Sequence, residues 1–315
     1  MHLRLIFKST RSCASRFDGR GQSMSIERGD AEGKICPVCR GTATSKIHEL
    51  QSPYIDNLFY SVHRCSDCGH RYAAGPVSPE ILDQVYGAVF HSTSQQRAAG
   101  PGSSISINAK QRVRWLTANG LQGELLDVGA GRGYFVKMAS SVFDAQGIDY
   151  SKNATEYGRE LGICLSSGDF LEADYAPGFF DVLTFWDVLA SMTNVHATIQ
   201  KSAQLLREGG HAVFTLPMGD SLACRIAGQR WPLWIPPVNL HYFSKNSVKA
   251  LLNEHGFEIV RMDYLAKRVS ANFLLLKLAR SFGLKRLEAP LAGASFSWAI
   301  PVNLGDILTV MARKV

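Results

Sequence analysis

At 315 residues the chain has room for one full-sized domain and a small one beside it, and 46% hydrophobic against 19% charged residues exclude a disordered or low-complexity chain. A formal net charge of +7 favours anionic partners without selecting one. No stretch reaches the ~18 apolar residues of a membrane-spanning helix. Four of the seven cysteines form two C-x-x-C pairs, which points to metal in a reducing, cytoplasmic setting and away from a disulfide scaffold.

Residues 1–33 are basic, rich in Ser, Gly and Arg, and without apolar periodicity, so they read as a disordered leader. Their apolar stretch LRLIF is shorter than the roughly 7–15 residues of a signal-peptide core. Residues 34–75 hold CPVC (36–39) and CSDC (65–68). Each C-x-x-C can put two sulfurs on one ion, and two such knuckles make the tetrahedral four-cysteine site that zinc prefers. Gly41 and Gly69 suit the knuckle turns. Cys36, Cys39, Cys65 and Cys68 together leave no open position, so the expected zinc is structural. With four thiolates present, His63 and His70 are expected at the surface.

A helical connector follows over 76–120: SPEILDQVYG, a Gly/Ser-rich loop RAAGPGSSIS, and INAKQRVRWLTANG. From 121 to 315 strands and helices alternate. The strands are ELLDVG (124–129), AQGID (145–149), ICLSSG (163–168), DVLTFWDV (181–188) and HAVFTLP (211–217). The helices between them are YFVKMASSV, NATEYGRELG and VHATIQKSAQLLREGG, the last expected to stop at Gly209–Gly210. Such alternation makes a parallel sheet with helices on both faces. The segment 218–243 breaks the rhythm with three prolines and two tryptophans, as an inserted lid or wall would. A helix SKNSVKALLNEHG (244–256), a strand FEIVRMDYL, an apolar helix SANFLLLKLARSFGL (270–284) and a strand DILTVMARK close the chain.

The stretch LLDVGAGRGYF (125–135) is a strand running into three alternate glycines, a turn that lets backbone N–H groups approach a ligand. A phosphate loop would need G-x-x-x-x-G-K-[ST]. A dinucleotide fingerprint would need a glycine where Tyr134 stands. Asp127, just before Gly129, Gly131 and Gly133, repels a pyrophosphate but welcomes an ammonium. Asp149 ends the next strand, about 20 residues on, where an acid can accept both hydroxyls of a ribose. Asp169 ends the third strand, placed for an adenine amino group, with Phe170 available for stacking. Ammonium, ribose and adenine along one sheet edge describe S-adenosylmethionine; the plainer alternative is that the three acids only end strands and cap helices.

In these motifs the sequence resembles the class I S-adenosylmethionine-dependent methyltransferases, from about residue 105 to 315. The resemblance implies a Rossmann-like, seven-stranded, mostly parallel sheet of order 3-2-1-4-5-7-6, preceded by a small zinc-ribbon-like subdomain. It also implies backbone contact with the cofactor by the three glycines, contacts by Asp127, Asp149, Asp169 and Phe170, and Trp186 near the methionine part. Cysteine knuckles followed by this core are similar to a bacterial branch acting on sugars and other small molecules. One departure is WDVLASMTN, with Ala190-Ser191 where the family commonly carries Glu-His. Methyl transfer from a sulfonium is an in-line displacement, helped by a general base when the acceptor is a hydroxyl. His241 is the first candidate base, expected to face a cleft; Asp187 and Tyr242 are the others. Trp231, Trp234, Tyr86 and Tyr54 are candidates for an aromatic wall. The expected partner is a small-molecule or glycan acceptor, methylated at a hydroxyl or a carbon. An RNA or protein substrate is the alternative, but the knuckles lack the aromatic and basic interleaving of a nucleic-acid platform. A non-catalytic binder is the third reading. ANFLLLKLARSFGLKR (271–286) reads as a core helix with a basic edge, with a membrane-surface role as its alternative.

Overall fold

The structure, a computed structural model, describes residues 33–90, 103–270, 275 and 299–315. The expected leader, most of the Gly/Ser loop, nearly all of the apolar segment 270–284 and the side chain of Tyr86 lie outside the described residues. No helix among the described residues is long and apolar enough to cross a membrane.

The larger sheet is built on β4 (Glu124–Val128), β5 (Asp144–Asp149), β6 (Leu165–Ser167), β7 (Phe180–Phe185), β8 (Leu206–Pro217), β10 (Phe257–Asp263) and β13 (Ile307–Lys314). Its order is β10-β13-β8-β7-β4-β5-β6. The five strands from β4 to β8 run parallel to their neighbours, and β13 is antiparallel to both β8 and β10. This is the expected seven-stranded order, with the two C-terminal strands in the expected places. Leu125 and Leu126, adjacent in β4, are both fully buried, which requires cover on both faces. On one face α2 (Ser104–Ala118) and α3 (Tyr134–Ala139) supply Val113, Leu116 and Phe135 against Leu125 and Val213. On the other, α5 (Val195–Leu205) and α7 (Lys245–Glu254) supply Ile199, Leu251 and Leu252 against Leu126 and Leu183. Helix α4 (Lys152–Glu160) lies beside β6.

The helix expected to reach Gly209–Gly210 ends at Leu205, and β8 starts at Leu206. Leu206 already pairs with Phe180, and the ladder resumes at Val182 and His211. The polar residues between them bulge out of register, with Gly209 taking φ 73°. Leu205 and Leu206 are both buried at this junction.

The cysteine-bearing arm forms a second sheet from β1 (Thr44–Gln51), β2 (Phe59–Cys65) and β3 (Arg71–Ala74), followed by α1 (Pro79–Phe90). Its fourth strand is not local. It is β9 (His241–Tyr242), which comes from the Trp/Pro-rich insert after a short helix α6 (Leu222–Ala227) and pairs antiparallel with β3. One residue later the same segment turns to the larger sheet: Phe243 N–H donates to Pro217 O at 2.8 Å, and Gly219 N–H to Phe243 O at 2.8 Å. Residues 241–243 therefore stitch the two sheets together. Trp231, Trp234 and Tyr242 pack on Val62 of β2, and Val38 and Tyr72 join the core that contains Leu126 and Leu183. Burying side chains of this size is worth about 1.5–3 kcal/mol each as an upper estimate, so the arm is a packed part of the molecule. A small two-stranded sheet, β11 (Lys267–Ser270) with β12 (Ala299–Val302), completes the described elements.

Candidate functional site

The three glycines take the backbone that their spacing implied. Gly129, Gly131 and Gly133 have φ of 72°, 55° and 75°, a region that side chains other than glycine rarely adopt. A Cβ on Gly129 would stand 2.4 Å from Val188 Cγ2, and one on Gly133 would stand 2.8 Å from Ile163. The turn is tied to β5, because the N–H groups of Gly129 and Ala130 both donate to Ile148 O, at 2.8 and 3.0 Å. It then opens directly into α3 at Tyr134.

The register brings the strand ends level: Val128 pairs with Ile148, and Asp149 with Ser167. Asp149 accepts from Gly131 N–H at 2.7 Å and from Ser151 N–H at 2.8 Å, so its carboxylate sits over the glycine turn. Each oxygen keeps a lone pair for a ligand hydroxyl. Burial raises its pKa against those two bonds. Asp127 is 3% exposed and accepts from Thr184 Oγ1 at 2.7 Å. Burial pushes its carboxyl up to about 7, opposed by that bond and by the Arg112 charge. Asp169 is half-buried and accepts from Leu171 N–H at 2.8 Å. Phe170 is buried edge-on against Phe185 at 5.6 Å. Capping bonds and open acceptor positions coexist on Asp149 and Asp169, so the two readings of the acids are not exclusive.

Beyond β7 lies a cleft whose lining includes Arg112, Trp186, Asp187, Thr215 and Lys267. Asp187 holds a left-handed φ of 64°, a conformation that costs a non-glycine residue about 1–3 kcal/mol. Its surroundings fix it there. Its N–H donates to Thr215 Oγ1 at 2.6 Å, the Thr215 hydroxyl donates to Oδ1 at 3.1 Å, and Arg112 and Lys267 each reach Oδ2 at 2.9 Å. Although partial desolvation in the cleft would raise it, the cations Lys267 and Arg112 hold the Asp187 carboxyl, itself 40% exposed, well below the usual carboxylate range. Trp186 is 7% exposed, and its Nε1–H is buried without a hydrogen-bond partner. Arg112 lies 4.7 Å over its ring and Phe135 meets it edge-on. A buried indole donor with no partner is rare and costs the desolvation of that group. Arg112 and Lys267 were not singled out in the sequence. No local signal marks them, because they meet only through Asp187.

In the arm, the sulfurs of Cys36 and Cys68 lie 3.7 Å apart and those of Cys39 and Cys65 3.5 Å apart. All four lie within 4.8 Å of one another. Four thiolates at about 2.3 Å from a central zinc would be about 3.8 Å apart, whereas a disulfide needs about 2.05 Å. The two knuckles are equivalent in their backbone bonds. Arg40 N–H donates to Cys36 O and Gly69 N–H to Cys65 O, while Cys36 N–H donates to Gly41 O and Cys65 N–H to His70 O. The left-handed position falls on Arg40 (φ 59°) in the first knuckle and Gly69 (φ 74°) in the second, so the first needs no glycine there. The hydrogen bond from Cys68 lowers Cys36 to about 5 and correspondingly raises Cys68. The donor set fits a closed structural zinc.

Several expected placements are corrected. His63 and His70 are buried, not at the surface: His63 bonds Ser61 Oγ at 3.0 Å, and His70 stacks on His241 at 5.4 Å. His241, expected to face a cleft, is 4% exposed, and both ring nitrogens are engaged, Nδ1 with His70 Nε2 at 3.2 Å and Nε2 with Met192 O at 2.9 Å. Tyr242 is fully buried and donates to Asn239 O at 2.8 Å. Neither lines the cleft; both were drawn inward because they form the arm's fourth strand. Trp231 and Trp234 pack between insert and arm, with their indole N–H groups on Asp306 and Gly228 O. They are core rather than a wall. Of the three candidate bases, Asp187 alone lines the cleft.

Comparison with known proteins agrees with this fold. A family model described as a methyltransferase domain matches residues 105–262. The chain is 29% identical to a ubiquinone biosynthesis O-methyltransferase from Azoarcus sp. over 170 residues, covering 48% of this chain and 72% of that protein. It is 31% identical to one from Aromatoleum aromaticum over 115 residues, 33% of this chain and 49% of that one. Among solved structures, a possible histamine N-methyltransferase from Thermotoga maritima superposes with a TM-score of 0.50 at 15% identity, covering 75% of this chain and 99% of its own. Magnesium protoporphyrin IX methyltransferase from Synechocystis, solved with S-adenosylhomocysteine, gives 0.50 at 15% identity, covering 76% and 100%.

Proposed function

The chain belongs to the S-adenosylmethionine-dependent methyltransferases, and we propose that its acceptor is a hydroxyl group of a small molecule bound in the cleft beside Trp186 and Asp187. The observation that carries this reading is the cleft lined by Trp186, where Arg112 and Lys267 converge on the carboxylate of Asp187. S-adenosylmethionine supplies a methyl group on a sulfonium. Gly129, Gly131 and Gly133 would hold it by backbone contact, with Asp127 facing its ammonium, Asp149 its ribose, Asp169 and Phe170 its adenine, and Trp186 its methionine part. Bound there, it would offer its methyl carbon to in-line attack by the acceptor oxygen, so that a C–O bond would form as the C–S bond broke, with the electron pair passing to sulfur and the hydroxyl proton to solvent or a base. What the protein adds is orientation, which can supply about 7–11 kcal/mol of such a barrier.

Asp187 suits an orienting role better than that of a strong base, because Arg112 and Lys267 keep it ionised and weakly basic. A hydroxyl could donate to it while a second oxygen of the acceptor meets the cations. The O-methyltransferase relatives support a hydroxyl acceptor of small-molecule size. Cys36, Cys39, Cys65 and Cys68, all free of disulfides, would hold zinc as a structural ion in a cytoplasmic protein. The test is transfer of a radiolabelled methyl group from S-adenosylmethionine to a panel of catechols, phenols and nucleotide sugars, with bulk RNA and protein as further acceptors. Label entering a small hydroxylated compound supports the reading. Label entering only RNA, protein or a carbon centre overturns the acceptor class.

A further inference from the structure

The two sheets meet at a buried polar junction that the chemistry of methyl transfer does not use. His241 Nε2 faces a carbonyl, Met192 O, so it must carry the proton. Its Nδ1 is then an acceptor, filled by His70 Nε2–H at 3.2 Å. The two rings stack at 27°, and His70 Nδ1 lies 3.5 Å from the Ser247 hydroxyl. Beside this pair, Leu240 N–H donates to Ala190 O at 2.7 Å, and Ser244 Oγ donates to Cys68 O at 2.6 Å. Both acceptors at residues 190 and 192 belong to the loop that follows β7. That loop carries Asp187 into the cleft and Val188 onto the Cα of Gly129.

From these contacts we infer that His241 is a positioning residue, which fixes the loop 187–192 against the glycine turn and makes the cysteine-bearing arm the support of the cofactor site. The inference rests on the methyltransferase reading for its consequence, not for its geometry. The second cysteine knuckle ends at Cys68, His70 follows within the same turn, and His241 passes its position to the Met192 carbonyl. A carbonyl buried without its donor would turn toward water and take Val188 and Asp187 with it.

The experiment uses the full chain and three variants. His241→Phe keeps a ring but has no donor, His241→Asn is polar but too short to reach Met192, and His241→Gln can place an N–H where Nε2 stands. Amide hydrogen exchange across 187–194 and calorimetric binding of S-adenosylhomocysteine are read for each. The expected result is faster exchange confined to that loop in H241F and H241N, binding weakened roughly tenfold, and recovery of both in H241Q. A merely structural histidine would instead speed exchange throughout the sheet and would not be rescued by Gln. If H241F does not fold, H241N decides. Unchanged loop exchange in H241N overturns the inference. If the wild-type chain binds no S-adenosylhomocysteine, the cofactor reading fails, while loop exchange still decides the role of His241.

Discussion

The glycine turn and the cysteine arm are both announced by short motifs, yet they are built in opposite ways. The turn is local. Its three glycines, Asp127 and Asp149 come from two successive strands, and the backbone hydrogen bonds that shape the glycines stay between β4, β5 and α3, with distant segments only packed against them. The arm is local only at its sulfurs. Its fourth strand arrives from residues 241–242, and its second knuckle is anchored by Ser244 and flanked by His241. A motif that closes on itself can be read whole from sequence; one completed from a distant segment cannot.

The largest expected effect is on the arm. Cys65→Ser should remove the bound metal, from about one zinc per chain to almost none by elemental analysis, and expose residues 34–75 to protease. Because residues 241–243 join both sheets, the variant should also lower the melting temperature of the whole chain; an unchanged value would show that the arm is a separate module. Next is the turn itself. Gly129→Ala places a methyl group on Val188 and forces a left-handed φ on alanine, and should weaken S-adenosylhomocysteine binding about 100-fold, equivalent to about 2.7 kcal/mol. Asp149→Ala removes both the ribose acceptor and the bond to Gly131, with an expected loss of about 10- to 100-fold by calorimetry. Unchanged affinity would overturn the cofactor assignment.

A smaller effect concerns Asp127. Burial raises its carboxyl to about 7, so the folded chain holds this proton more tightly than the unfolded chain. The sign follows: its contribution to stability is greatest at low pH and declines as pH rises from about 4 toward 7. Cofactor binding runs the other way, because an ammonium needs the ionised form. Affinity should rise about tenfold between roughly pH 6 and pH 8, with protons released on binding, and Asp127→Asn should flatten the profile. Smallest is Trp186→Phe, which removes only the unpartnered N–H. A few-fold rise in KM, with kcat held, is expected for whichever ligand meets it, and no change would leave the indole a packing residue.

The strands of the β4–β8 series were legible because each is an apolar run bounded by turn residues; their order in the sheet came from the family resemblance. The places of the acids were legible because each stands at or near the end of an apolar strand. Arg112 and Lys267 were not, since each sits in an ordinary element and only Asp187 brings them together. His241 misled for a related reason. A histidine after a Trp/Pro-rich segment suggests a cleft, and nothing nearby says that this histidine and the tyrosine after it will pair with a strand formed from residues 71–74.

The sequence by itself determined the class of the protein, the glycine turn and the grouping of four sulfurs, because each depends on spacing along one strand, one turn or one knuckle. The tertiary structure decided what faces what. It put Asp187, Arg112 and Lys267 at the cleft, buried His70 against His241, and made the insert the last strand of the arm. Those outcomes depend on which distant backbone groups satisfy one another's hydrogen bonds, a requirement of the whole folded chain that no local spacing records.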